Sequence, residues 1–567
     1  MYAARSIILA LLVVLVARLV QLQGFESTKY AQLGEQKRLR TTKLTALRGS
    51  IVDQSGAELA MSQEVRTIVA DPKLVENAVA TAATLAPLLR LPAAALQAKL
   101  TAPNRYVVLA KGIDVPIARE ILALDLAGIS AESSSKRVYP NAVLAASLVG
   151  FVNVDGTGKA GIESAFQSQL AGTDGSMVAE VARDRVISSG YRKVQAAKAG
   201  STVELTIDRD IQWMAQRTLA AEVLRNGAAG GHIIVMDVRT GEILALASDP
   251  TFDPNAIGGA DPKVLGGIAA ISNPYEPGSV NKVITAAAAI DTGLLDPDSQ
   301  VVVPQSIKIA DKTFREHGAT ADTRLTFRGV IARSSNVGTI GIAQRLGKQR
   351  IYEYLKKFGL GEKTGIGLPT ESRGLLPPVE KWSGSQVGTI PIGQGVSATA
   401  LQMAQVYAIV ANGGVKITPT IVKGTTDGAG EFTPAAAPKK TRVIKASSAA
   451  MLRDVLEAVT SDGGTAPGAR IDGYRVAGKT GTAMRVSESG MGYEPNKYVS
   501  SFIGFAPAEK PALLVEVVLD RTGSGDYYAG KVSTPAFKAV MTFALAARQV
   551  PPSEAPAPVA VLTAGPK

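Results

Sequence analysis

A proline-glycine pair, a serine and, three residues on, a lysine open an apolar helix. The segment reads Pro277-Gly278-Ser279-Val280-Asn281-Lys282, continues apolar from Val283 to Ile290 and closes at Gly293. No other segment constrains the chain as much. Residues at i and i+3 share a helix face, so the Lys282 amine can reach the Ser279 hydroxyl. A serine hydroxyl is a poor nucleophile until a base takes its proton. A helix start also favours developing negative charge. Together these features describe acyl transfer with lysine as the base.

Composition removes the competitors. The chain has no cysteine and only two histidines. A cysteine nucleophile, a disulfide framework and a thiolate metal site are therefore excluded, and no metal or cofactor is expected. A Ser-His-Asp triad would need His232 or His317. His232 opens the run Ile233-Ile234-Val235-Met236 and reads as a strand residue; His317 lies in the polar stretch Arg315-Glu316-His317-Gly318. Lysine is left to do the proton work.

Arg5 precedes an unbroken apolar run from Ile7 to Ala17, followed by Arg18-Leu19-Val20. Counted to Leu22, with Arg18 snorkelling to the interface, the run just spans a bilayer. No A-x-A-like cleavage site follows it. The chain accordingly divides into a short cytoplasmic tail (1–6), an uncleaved transmembrane signal anchor (7–22), a stalk and pedestal (23–200), a catalytic domain (201–548) and a Pro/Ala-rich tail (549–567) expected to be disordered, extended and unpacked. The length beyond the anchor exceeds a single core. The net charge of +12, part of it at Lys37, Arg38, Arg40, Lys43 and Arg48, fits work beside anionic lipid or wall polymer. A solvated basic face fits equally well. No motif supports nucleic acid.

Thr202–Ile207 alternates like a strand and Asp210–Leu224 reads as a helix. His232–Val238 and Glu242–Ala247 form one hairpin, and Ser500–Phe505 with Ala512–Leu519 form a second pair. Strands at both ends with helices between them imply an α+β domain around an antiparallel sheet.

Three short motifs gain meaning from context. Ser133-Ser134-Ser135-Lys136 also matches Ser-x-x-Lys but lacks an apolar helix. Ser334-Ser335-Asn336 offers a hydroxyl to relay a proton and an amide to orient Lys282; a helix N-cap at Ser334 is the alternative. Lys-Thr-Gly occurs twice. Lys363-Thr364-Gly365 runs into a proline-broken loop, whereas Lys479-Thr480-Gly481, continuing through Thr482, reads as an exposed strand with room for a ligand at Gly481. Its cation and hydroxyls suit a substrate carboxylate. This ordered set is the signature of penicillin-binding proteins and class A β-lactamases.

The chain resembles a class B penicillin-binding protein, a monofunctional peptidoglycan D,D-transpeptidase, from about Arg18 to about Ala547. The likeness is carried by Arg48-Gly49-Ser50 through Gly56, Tyr139-Pro140, Gly161-Ile162-Glu163, Tyr275-Glu276-Pro277-Gly278-Ser279, Gly393-Gln394-Gly395 and Gly504-Phe505-Ala506-Pro507. Asn281 departs from it, because the residue before the motif lysine is usually apolar or aromatic; altered packing around the helix is the expected result. The resemblance implies a penicillin-binding transpeptidase fold, an antiparallel sheet flanked by helices with a helical lobe, on a dimerisation-type pedestal. It implies Ser279 as nucleophile, Lys282 as general base, Ser334 as proton relay and Asn336 as orienting group. Lys479, Thr480, Gly481 and Thr482 would hold the terminal carboxylate of a D-Ala-D-Ala stem peptide, and backbone N–H groups of Ser279 and Thr482 would form the oxyanion hole. Lys282 must then be neutral, a fall from about 10.4 towards 7 worth roughly 4 kcal/mol, from burial and a nearby Lys479. Expected partners are stem peptides, penicillin and other β-lactams, the membrane, a glycan polymerase and divisome proteins. The expected location is the plasma membrane, with the catalytic domain outside and enriched at the septum. The Gly473–Gly478 lead into Lys479 and the Arg18–Gln23 flank look division-type; a lateral-wall enzyme, a β-lactam sensor or hydrolase, and a non-catalytic scaffold are the alternatives.

Overall fold

The computed structural model describes residues 2–29, 34, 38–182, 185–187, 189–316, 321–487, 489, 492–522 and 526–564; His317 lies outside them. The chain divides into two compact units. One comprises residues 1–49, 62–136 and 171–201; the other comprises 50–61, 137–170 and 202–567.

The first unit begins with the helix Tyr2–Val20, continued by one wider turn over Gln21–Phe25. It is apolar on every side and none of it is buried by protein, and it is long enough to cross a membrane. Part of the region read as the stalk is the strand Leu39–Leu44, which pairs antiparallel with Gly175–Ala182. Elsewhere in this unit Ile68, Leu85, Leu96, Leu109 and Ile121 form a small core. Ser133–Lys136, the second Ser-x-x-Lys match, sits within the strand Ile129–Val138 and has no helix behind it.

The second unit is built on a five-stranded antiparallel sheet. Its strands are β1 (Gly230–Asp237), β2 (Ile243–Asp249), β3 (Ala477–Val486), β4 (Tyr493–Ala506) and β5 (Leu513–Thr522), in the order β2-β1-β5-β4-β3. Both hairpins expected from sequence are present, and β1 of the first pairs with β5 of the second. Alternate residues of a strand face opposite sides. On one side Phe502 packs edge-on against Phe537, at 4.7 Å between ring centroids. On the other, Glu516 meets the hydroxyl of Tyr275. The helices α1 (Arg209–Asn226), α2 (Lys282–Asp291), α3 (Phe327–Ala332), α4 (Asn336–Leu346), α5 (Ala400–Ala411), α6 (Ala446–Glu457) and α7 (Thr534–Ala547) complete the layers. Helix α1 packs with α7, and α2 packs with α4 and α6. Every residue of α2 from Lys282 to Ile290 is buried, which marks a core helix rather than an amphipathic one.

The Pro/Ala-rich tail is extended but not unpacked. Thr326 N–H donates to Leu562 O at 3.1 Å, the Thr326 hydroxyl to Val561 O at 2.7 Å, and Ala564 N–H to Arg324 O at 3.2 Å. Leu562 is buried against Ala332 and Ala458. A Cβ on Gly329 would lie 1.9 Å from Leu562 O, so glycine there is what lets the tail approach. Composition suggested a free tail because one apolar anchor among prolines and alanines gives no periodic signal.

Candidate active site

Ser279 stands on a single 3₁₀ turn, Gly278–Asn281, that leads directly into α2. Gly278 is in the left-handed region at φ +57, and its N–H donates to Gly393 O at 3.1 Å. Gly395 N–H donates to the Glu276 carboxylate at 2.8 Å, and the Tyr407 hydroxyl donates to Val280 O at 2.8 Å. The turn is thus held from three directions. Asn281 has no exposed surface; its Nδ2 donates to Ile390 O at 2.9 Å, and among the described residues its Oδ1 has no partner. The departure noted at Asn281 is a polar clasp on the 390–395 segment.

Lys282 has no solvent-exposed surface. Its ammonium donates to Ser334 O at 2.5 Å, to Ser334 Oγ at 3.2 Å and to Asn336 Oδ1 at 2.7 Å. An ammonium has three N–H groups, and these contacts use all of them. The direct bond to Ser279 expected from the one-turn spacing is not among them. Burial brings Lys282 down to about 7, and the negative charge of Glu316 works against that fall. The expected help from a second cation acts in the other direction: Lys479 is pushed well below its ordinary value first by burial and then by the charge of Lys282.

The Ser334-Ser335-Asn336 run joins α3 to α4. Ser334 sits at φ +58, in the αL position past a helix end where glycine is usual. A non-glycine residue there costs roughly 1–3 kcal/mol. That backbone accompanies the meeting of the Ser334 carbonyl and hydroxyl on Lys282. The helix N-cap is Ser335, whose Oγ accepts from Gly338 N–H at 2.9 Å. Capping therefore explains Ser335 and not Ser334.

Strand β3 is the sheet edge. Lys479 is nevertheless fully buried, and its Nζ donates to Thr480 O at 3.1 Å and Thr480 Oγ1 at 3.3 Å. The strand was expected to be exposed; alternation instead sends Lys479 inward and Thr480 and Thr482 to the cavity. Gly481 shares the inward side. A Cβ there would meet Ser501 Oγ at 2.5 Å and Pro277 O at 3.0 Å, so the glycine makes room for the nucleophile turn rather than for a ligand. Thr480 Oγ1 lies 2.8 Å from Thr465 Oγ1, and Ala529 N–H donates to Thr482 Oγ1 at 3.2 Å.

A cavity of about 750 Å³ brings together Ser279, Ser334, Asn336, Thr480 and Thr482, with Glu316, Thr465 and Tyr528 on its walls. Of the other Lys-Thr-Gly run, Lys363-Thr364-Gly365, Thr364 is buried and bonded to Glu371; none of its three residues lines this cavity. His232 is half-buried in β1, where desolvation takes its imidazole down to about 4, and it too is absent from the cavity walls. Sequence reasoning passed over Glu316 while weighing its neighbour His317, and it had no means of finding Thr465 or Tyr407, which reach the site from distant elements.

Residues 231–542 match the family described as the penicillin-binding protein transpeptidase domain, and residues 43–205 match the penicillin-binding protein dimerisation domain. Penicillin-binding protein PbpB of Mycolicibacterium smegmatis is 37% identical over 98% of this chain and 92% of its own length. Peptidoglycan D,D-transpeptidase FtsI of Escherichia coli K12 is 33% identical over 96% of this chain and 91% of its own. The crystal structure of penicillin-binding protein 3 of Mycobacterium tuberculosis, complexed with aztreonam, superposes with a TM-score of 0.73 at 33% identity, covering 92% of this chain and all of that one. The chain belongs to the penicillin-binding protein family, as a class B member with the peptidoglycan D,D-transpeptidase domain.

Proposed function

We propose that Ser279 is the acylated nucleophile and Lys282 its general base, in a reaction that cross-links stem peptides. The observation that carries this reading is the buried Lys282 amine, one helical turn from a cavity-lining serine and brought down to about 7. Ser279 Oγ attacks the carbonyl of the penultimate D-alanine while its proton passes to Lys282. The oxyanion is held by the backbone N–H groups of Ser279 and Thr482, the latter on an edge strand. Lys282 returns the proton through Ser334 Oγ to the nitrogen of the departing D-alanine, with Asn336 fixing the amine. Thr480 and Thr482 bind the terminal carboxylate, and Lys479 supplies positive charge from behind the strand. An amine from a second stem peptide then attacks the ester, forming the cross-link and freeing Ser279.

Residues 7–22 anchor the chain, 23–200 form the stalk and pedestal, and 201–548 work outside the plasma membrane beside a membrane glycan polymerase and divisome proteins. We assign it to the septum on the likeness to FtsI and PbpB. Purified chain given a D-Ala-D-Ala donor and an amine acceptor should release D-alanine and form the acceptor-linked product, and a tagged chain should band at mid-cell. Rapid penicillin turnover with only hydrolysed donor would make it a hydrolase, and lateral signal would refute the septal assignment.

A further inference from the structure

Glu316 plays no part in the mechanism above, yet its carboxylate lies at the site. Its Oε2 accepts from the Ser335 hydroxyl at 2.9 Å and from Val337 N–H at 2.9 Å. It thereby closes the N-terminus of α4, where an anion is favoured by the helix dipole, and it ties down the two residues that flank Asn336. Ser335 in turn caps α4 through Gly338 N–H. One carboxylate therefore fixes the turn on both sides of Asn336, directly after the strained Ser334, and from this turn Ser334 and Asn336 reach Lys282. Glu316 also lines the cavity with Ser279.

We propose that Glu316 is a positioning residue: it holds the Ser334–Asn336 turn in the conformation that receives Lys282, and it supplies the negative charge facing that ammonium. The proposal rests on Lys282 acting as the base. The charged groups around Lys282 are few. Lys479 faces it from β3 and Glu316 from the segment before residue 317, while the groups offered by the α3–α4 turn are the uncharged Ser334 and Asn336; Arg333 and Lys531 line the same cavity. Among the described residues, Glu316 is thus the anion facing Lys282. Its charge stabilises the protonated amine, so removing it makes the base available at lower pH.

The test is the pH dependence of Ser279 acylation by labelled penicillin, measured as a second-order rate constant on the full chain. Glu316→Gln keeps an oxygen that accepts from Ser335 and Val337 but loses the charge. Its acid limb is expected to move down by about one pH unit, with the high-pH rate within a few-fold of the parent. Glu316→Ala loses both functions and should be slow at every pH, and Glu316→Asp should recover part of that loss. An unmoved acid limb in Glu316→Gln, or a full rate in a folded Glu316→Ala, overturns the proposal. A parent profile with no acid limb near pH 7 refutes Lys282 as the base instead, which keeps the two failures distinct.

Discussion

Replacing Lys282 by alanine is expected to slow acylation of Ser279 by roughly 10³- to 10⁴-fold, within the range for loss of a positioned general base. The side chain is wholly buried and its amine is held by Ser334 and Asn336, so alanine removes the group placed to take the Ser279 proton. In the parent the rate should rise about tenfold per pH unit below 7 and level off above it, because only the neutral amine accepts a proton and Lys282 is brought down to about 7. The variant should lose that acid limb. Unfolding adds a check on the same titration. The unfolded chain binds a proton at Lys282 up to about 10.4 and the folded chain only up to about 7, so this group makes the fold more stable as pH rises between those values. Stopped-flow labelling across pH reads the first effect and denaturant unfolding at pH 7 and 9 reads the second.

Gly393→Ala is expected to cost acylation about 10²-fold, the penalty typical of misplacing a reacting group by an ångström. A Cβ at Gly393 would lie 2.1 Å from Gly278 O and 2.6 Å from Gly278 N, far inside contact distance. The same glycine has φ +84 and accepts the hydrogen bond that holds Gly278, one residue before the nucleophile. The added methyl must therefore push the Ser279 turn away from its wall, destabilising the fold by roughly 2–3 kcal/mol. Gly367→Ala is the control: it has φ +78 but no atom within 4 Å of its Cβ, so it tests backbone strain alone and should leave acylation intact.

Those two glycines mark what sequence could and could not tell. Ser279, Lys282, Ser334 and Asn336 stood out in sequence because spacing and a flanking apolar helix are local features; Ser334 and Asn336 bond the Lys282 ammonium, and Ser279 shares the cavity wall with them. The two sheet hairpins were legible for the same reason, since each is a pair of apolar runs across a turn. What failed to show was non-local. The pairing of β1 with β5 joins strands from opposite ends of the domain. Glu316 meets Ser335 across a span that contains the strand Thr323–Thr326 and helix α3, and no motif announces it. Lys479 was misjudged as exposed because an edge strand has one bare side, and the side its lysine faces depends on register. The tail was misjudged because its hold depends on Gly329 being bare. Asn281, conspicuous in sequence, made sense only once Ile390 O lay beside it.

Mass mapping of the penicillin adduct tests the central claim most directly. One equivalent is expected per chain, on the peptide containing Ser279, and none in a folded Ser279→Ala protein. A stable adduct on another residue, or one retained by Ser279→Ala, would contradict the assignment of Ser279 as the acylated nucleophile.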